Sequence, residues 1–174
     1  YLFNGKILGR CFGKMEFGPR ALGNRSILAN PSSYETIKKI NQKIKSRDFW
    51  MPFAPSVIEE EANKYFKISK GCDYTQMTVC THSKKDRTNM IPAVLHPGDN
   101  TARIHLVKKS LNKEYHDLIK EFKNLSGSGI LLNTSLNLHG KPIARNAIDC
   151  LEILEKSDID GIQVENILIL KKVR

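Results

Sequence analysis

Paired cysteines are missing from this chain. Its four cysteines, Cys11, Cys72, Cys80 and Cys150, are scattered without a C-x-x-C pair, which speaks against thiolate-bound zinc and against a disulfide framework. Free thiols in a reducing, cytoplasmic setting are expected. No apolar run approaches the roughly 20 residues a membrane span needs, and no secretory signal pattern is present. Internal repeats, low-complexity tracts and long polar linkers are absent too. Aromatics make up only 7% of the residues, and the interleaved aromatics on which single-stranded nucleic acids stack are lacking. No His-x-x-x-His pair and no His–carboxylate cluster of metal spacing occurs, so no metal is expected on this chain's residues. The G-x-S-x-G nucleophile elbow is likewise missing.

What is there fits one α/β domain. The 174 residues are 40% hydrophobic and 26% charged, enough for a proper core and too apolar for disorder. A net charge of +10 suits polyanions: nucleotides, phosphorylated metabolites, nucleic acid or anionic lipid. The first residues, Tyr1 to Phe12, read as mid-fold sequence, so a preceding segment of a larger protein is expected.

Periodicity and turn residues place the elements. Ile7 to Phe12 reads as a strand, followed by a Gly-punctuated loop and a helix over Tyr34 to Lys45. Ala54 to Ile58 is extended and Glu59 to Phe66 helical. Strands are expected near Gln76 to Thr81, over Ile91 to Leu95 and over Arg103 to Val107, with turns at 82–89 and 97–100. Tyr115, Leu118, Ile119, Phe122 and Leu125 mark the apolar face of a helix over Leu111 to Leu125. A short buried strand, Ile130 to Asn133, precedes a helix over Ala147 to Lys156 capped by Asn146, and a closing hairpin of Gly161 to Val164 with Asn166 to Leu170. Irregular alternation of strand and helix predicts a mixed sheet.

Four segments carry chemistry-bearing residues. In KMEFGPRALGNRSIL, Lys14 to Leu28, Gly18-Pro19 and Gly23 fix the directions of Glu16, Arg20, Asn24 and Arg25. Arginines on such a loop can grip phosphate or carboxylate oxygens, or pair with nearby acids. Lys45 and Arg47 stand two apart, so in an extended segment both face one way, towards an anion or towards a helix C-terminus. Arg103 lies on the strand of NTARIHLV, with His96 and His105 nearby as surface or hydrogen-bonded core residues. In ILLNTSLNLHGKPI a buried strand runs into Asn133, Thr134, Ser135 and Asn137, a polar strand end of the kind where α/β sheets hold ligands. With no base in view, Ser135 suits hydrogen bonding better than nucleophilic attack.

Taken in order, KMEFGPRALGNRSIL, SRDFWMPFAPSV, IPAVLHPGDNTARIHLV and ILLNTSLNLHGKPI resemble the successive signature blocks of the O-carbamoyltransferases, a family of nodulation and antibiotic-tailoring enzymes. The resemblance runs from Gly5 to Leu170. It implies a YrdC-like α/β domain, a twisted open mixed sheet flanked by helices, over residues 14–174, with residues 1–13 as the junction to an upstream Kae1-like domain. It implies that Lys45, Arg47, Ser135 and Asn137 form the catalytic set on the nucleotide. Arg25 and Arg103 would bind carbamoyl phosphate or the adenylate phosphate, with Arg20, Asn133 and Thr134 beside them. The implied substrates are ATP with Mg²⁺ and carbamoyl phosphate, giving carbamoyl adenylate. The carbamoyl group would then pass to an acceptor hydroxyl in the upstream domain, which would also hold the metal of the transfer site. His139 departs from the family's pattern after the Ser-x-Asn pair. The alternative is a basic nucleotide- or RNA-binding module without catalysis of its own; the scarcity of aromatics speaks against nucleic acid, and nothing suggests a membrane.

Overall fold

A computed structural model describes residues 1–41, 44 and 51–172 of the chain. Lys45 and Arg47, together with Phe49 and Trp50, lie outside the described residues. The main sheet has seven strands in the order β6-β3-β7-β2-β1-β8-β9. They are β1 Leu8–Cys11, β2 Arg25–Ala29, β3 Ala54–Ile58, β6 His105–Val107, β7 Ile130–Ser135, β8 Gly161–Val164 and β9 Ile167–Leu170. Pairs β1–β8 and β3–β6 are parallel and the rest antiparallel, so the sheet is mixed, as expected. A separate two-stranded sheet joins β4, Cys80–His82, to β5, Thr101–Arg103. Strand β1 falls within the segment read as a junction, yet it lies inside the sheet between β2 and β8.

Helices cover both faces. Side chains alternate along each strand, so neighbouring residues enter different cores. Leu28, Ile58, Val107 and Leu131 pack with Tyr115, Ile119 and Phe122 of α3, Lys113–Ser126. Ile27, Val57, Ile130 and Leu132 join the larger core on the other face, with Ile40 of α1, Tyr34–Ile40, Ala62 of α2, Glu59–Tyr65, and Ile153 of α4, Ala147–Lys156. Each fully buried aliphatic or aromatic side chain contributes about 1.5–3 kcal/mol.

The helix ends follow local chemistry. Asn146 Oδ1 accepts from the backbone N–H of Ile148 and Asp149 at 3.0 and 3.1 Å, so α4 starts at Ala147 as the sequence predicts. Gly127, at φ +74°, closes α3 in the left-handed conformation.

Three expectations are corrected. Residues 91–95 are not extended, because Pro92–Val94 forms a 3₁₀ turn. Arg103 to Val107 is not one strand: the chain breaks at Ile104, and β5 pairs with β4 while β6 pairs with β3. Leu125 does not join the apolar face of α3, being 67% exposed.

Candidate active site

The loop between β1 and β2 is pinned from two sides. Glu16 Oε1 accepts from the backbone N–H groups of Leu22, Asn24 and Arg25 at 2.7, 2.7 and 3.1 Å. From the other side, the buried Arg10 guanidinium donates to Gly23 O at 2.6 Å and lies 4.6 Å from the centre of the Phe12 ring. Burial lowers the pKa of Arg10. Gly23 adopts φ +108°, which only glycine takes without strain. The Lys14–Leu28 segment is therefore a rigid hairpin-like support.

That support holds Arg20 over the end of the sheet. An open cleft with a cavity volume of about 70 Å³ lies between Arg20, Phe53 at the entry to β3, Arg103 at the end of β5, and Asn133, Thr134 and Ser135 of β7. A second opening, of about 300 Å³, adjoins it and shares Pro19, Arg20 and Ser135, adding Asn137 and Glu16. Seven of the residues singled out in the sequence, Glu16 among them, thus line one continuous region. Among the described residues Arg20 has no hydrogen-bond or ion-pair partner, and its guanidinium suits an anion in the cleft.

The strand end is organised by its own hydrogen bonds. Ser135 Oγ donates to Asn137 Oδ1 at 2.6 Å, and Asn137 Nδ2 donates to Lys141 O at 2.7 Å. The two side chains are coupled, with the Ser135 proton directed at Asn137. His139 is exposed in the turn that follows, next to Gly140 at φ +73°.

Arg25 is placed differently from Arg20. In β2 it shares the face of Ile27 and Ala29, while Ser26, opposite Ser135, faces α3. Its Nη1 donates to Phe12 O and Asn24 O at 3.2 and 2.9 Å, and its Nη2 to Gly13 O and Arg145 O at 3.1 and 3.3 Å. Arg25 is 6% exposed and its guanidinium ties the loop to the residues before α4. It does not line either opening.

A polar chain not foreseen from sequence runs under the cleft on the α3 face. Asn133 Nδ2 donates to Ser56 Oγ at 2.9 Å, and Ser56 Oγ lies 2.9 Å from His105 Nδ1. Ser56 and His105 are partners across β3 and β6. His105 stacks on Tyr115 with ring centres 6.0 Å apart. Burial pushes His105 down to about 4, so its ring is neutral near pH 7, and burial pushes the Tyr115 hydroxyl up. The available signal was a serine at the centre of the buried strand APSVI, where a hydroxyl requires a partner. Among the described residues, no three His, Cys, Asp or Glu side chains come together as a metal site, and no helix is long and apolar enough to cross a membrane.

The family model described as "Carbamoyltransferase C-terminus" matches residues 1–171. Nodulation protein NolO of Bradyrhizobium diazoefficiens is 38% identical over 173 residues, covering 99% of this chain and 31% of NolO. The 3'-hydroxymethylcephem-O-carbamoyltransferase of Amycolatopsis lactamdurans is 32% identical over 163 residues, covering 94% of this chain and 30% of that enzyme. Among solved structures, full-length HypF in its phosphate- and nucleotide-bound form superposes with a TM-score of 0.63 at 18% identity, over 99% of this chain and 25% of HypF. A P. abyssi Sua5 variant superposes with a TM-score of 0.57 at 14% identity, over 97% of this chain and 50% of Sua5. These neighbours identify the sheet as YrdC-like. The chain spans between 25 and 31% of the length of the first curated relatives it matches. With the family model covering nearly every residue, the chain belongs to the carbamoyltransferase C-terminal family.

Proposed function

We propose that this domain binds MgATP and carbamoyl phosphate and makes carbamoyl adenylate, the activated half-reaction of an O-carbamoyltransferase. The observation that carries the reading is Arg20, a guanidinium with no partner among the described residues, lining one cleft with Ser135 at the C-terminal end of β7. A crowded set of phosphates needs cations and donors, which Arg20 and Arg103 supply and to which, by the family resemblance, Lys45 and Arg47 would add. Ser135 and Asn137, fixed by their mutual hydrogen bond, orient the reacting group. Arg25, whose two terminal nitrogens donate to four carbonyls, supports the loop rather than touching substrate. The HypF neighbour, bound to phosphate and nucleotide, supports the assignment of ligand class.

The chemistry balances without a covalent enzyme intermediate. Carbamoyl phosphate and water give carbamate and phosphate; a carbamate oxygen then attacks the α-phosphorus of ATP and expels pyrophosphate. Guanidinium groups neutralise the charge gathering on the α-phosphate. Transfer to an acceptor hydroxyl, and the metal that serves it, belong in this reading to an upstream Kae1-like domain.

Carbamoyl-phosphate-dependent exchange of labelled pyrophosphate into ATP, measured on the full-length protein, tests the reading. Exchange that is lost in Lys45→Ala and Ser135→Ala supports it, and exchange unchanged by both overturns the site.

A further inference from the structure

We infer that Asn133 is the residue that recognises the carbamoyl amino group, through an amide oxygen the fold leaves unpaired; this rests on the proposed activation reaction. Asn133 is 1% exposed and lines the cleft beside Ser135. Its Nδ2 lies 3.0 Å from Ala21 O and 2.9 Å from Ser56 Oγ. Because a carbonyl oxygen such as that of Ala21 can only accept, the nitrogen side of the amide must face it. Both Nδ2 hydrogens are thereby used.

The same contact fixes the orientation. A flipped amide would set its oxygen against Ala21 O, two acceptors face to face. On its other side Ser56 Oγ accepts from Asn133 and lies 2.9 Å from His105 Nδ1, where the neutral ring donates or accepts according to its tautomer.

Asn133 Oδ1 is the end left over. It is buried and has no hydrogen-bond partner. An unpaired buried acceptor is costly, and native structures seldom keep one without a reason. A ligand that donates a hydrogen relieves it. A carbamoyl –NH₂ does so; an acetyl methyl or a carboxylate oxygen at the same place cannot. Sites built to hydrogen-bond a substrate N–H reject analogues lacking it by large factors. The adenine amino group is the other N–H donor that the same reaction brings, and the position of Asn133 two residues from Ser135 and across from Arg20 favours the carbamoyl end.

The test compares pyrophosphate exchange by the full-length protein with carbamoyl phosphate against acetyl phosphate, and with ATP against ITP, which lacks the amino group. Wild type should prefer carbamoyl phosphate by at least about 100-fold. Asn133→Ala should bring that preference within about tenfold and leave the ATP/ITP ratio unchanged, with melting curves reporting the fold. Ser56→Ala, which keeps Asn133 but frees one Nδ2 hydrogen, should give a partial loss of the same preference. Equal exchange with both acyl phosphates in wild type overturns the inference with no variant needed, as does a collapse of the ATP/ITP ratio in Asn133→Ala. No exchange with carbamoyl phosphate in wild type overturns the proposed function itself.

Discussion

Gly23 lies against the ring of Tyr115 so closely that a Cβ built on the glycine would be 2.2 Å from Tyr115 Cδ1. This contact sets the hairpin-like loop that carries Arg20 onto the helix that backs the sheet. Gly23→Ala combines backbone strain at φ +108° with overpacking of a fully buried ring, and should cost about 2–6 kcal/mol. Gly13→Ala, at φ +56° with nothing within 4 Å of the new Cβ, should cost only about 1–2 kcal/mol. Urea unfolding of the two variants measures the difference.

Arg20 and Arg25 look alike in sequence and should fail differently. Arg20→Ala removes no internal hydrogen bond, so the melting temperature should hold while the KM for MgATP or carbamoyl phosphate rises about tenfold or more. Arg25→Ala removes four hydrogen bonds to backbone carbonyls, of which Asn24 O keeps the N–H of Phe12, and should destabilise the fold by about 2–5 kcal/mol. Arg25→Lys should not restore it, because one ammonium cannot reproduce the planar fork. Paired melting and kinetic measurements separate the two roles.

The contrast shows what could be read from the residues. The polar strand end at Asn133 to Asn137 and the Asn146 cap of α4 were legible because each is a local signal, a change from apolar to polar or a capping side chain. Strand β2 was not. RSILA is buried at every position, so it shows no alternation, and it follows a Gly- and Pro-rich loop without a break in composition. Missing β2 hid the fact that Arg25 and Ser26 point to opposite faces. The break at Ile104 was equally invisible: the segment alternates as one strand, and only the choice of partners, β4 for one half and β3 for the other, divides it. Pairing is a long-range property that no short window contains.

His105 gives the protein a pH dependence. Its folded pKa of about 4 lies below the ordinary value of 6.5, so as pH falls below about 6.5 the unfolded chain takes up a proton that the folded chain refuses. Stability from this residue is fully present above pH 6.5, is lost as pH falls towards 4, and changes no further below that. The loss is on the order of 3 kcal/mol. Urea midpoints measured between pH 7 and pH 4 should decline in wild type, and the decline should flatten in His105→Gln.

Ser135 and Asn137 should act as one unit. Each single alanine substitution breaks the same 2.6 Å hydrogen bond, so each should lower pyrophosphate exchange by about 10–100-fold. The double variant should be little worse than either single one, because both changes remove the same hydrogen bond. Independent, multiplying losses in a double-mutant cycle would show that the pair does not work through its mutual bond.

The central claim is that this domain adenylates the carbamoyl group, and the identity of the products tests it most directly. Full-length protein supplied with MgATP and ¹³C-carbamoyl phosphate, without acceptor, should yield pyrophosphate and phosphate together with an AMP adduct carrying the ¹³C label, resolved by mass spectrometry. Formation of ADP with no pyrophosphate and no labelled AMP adduct would contradict the account.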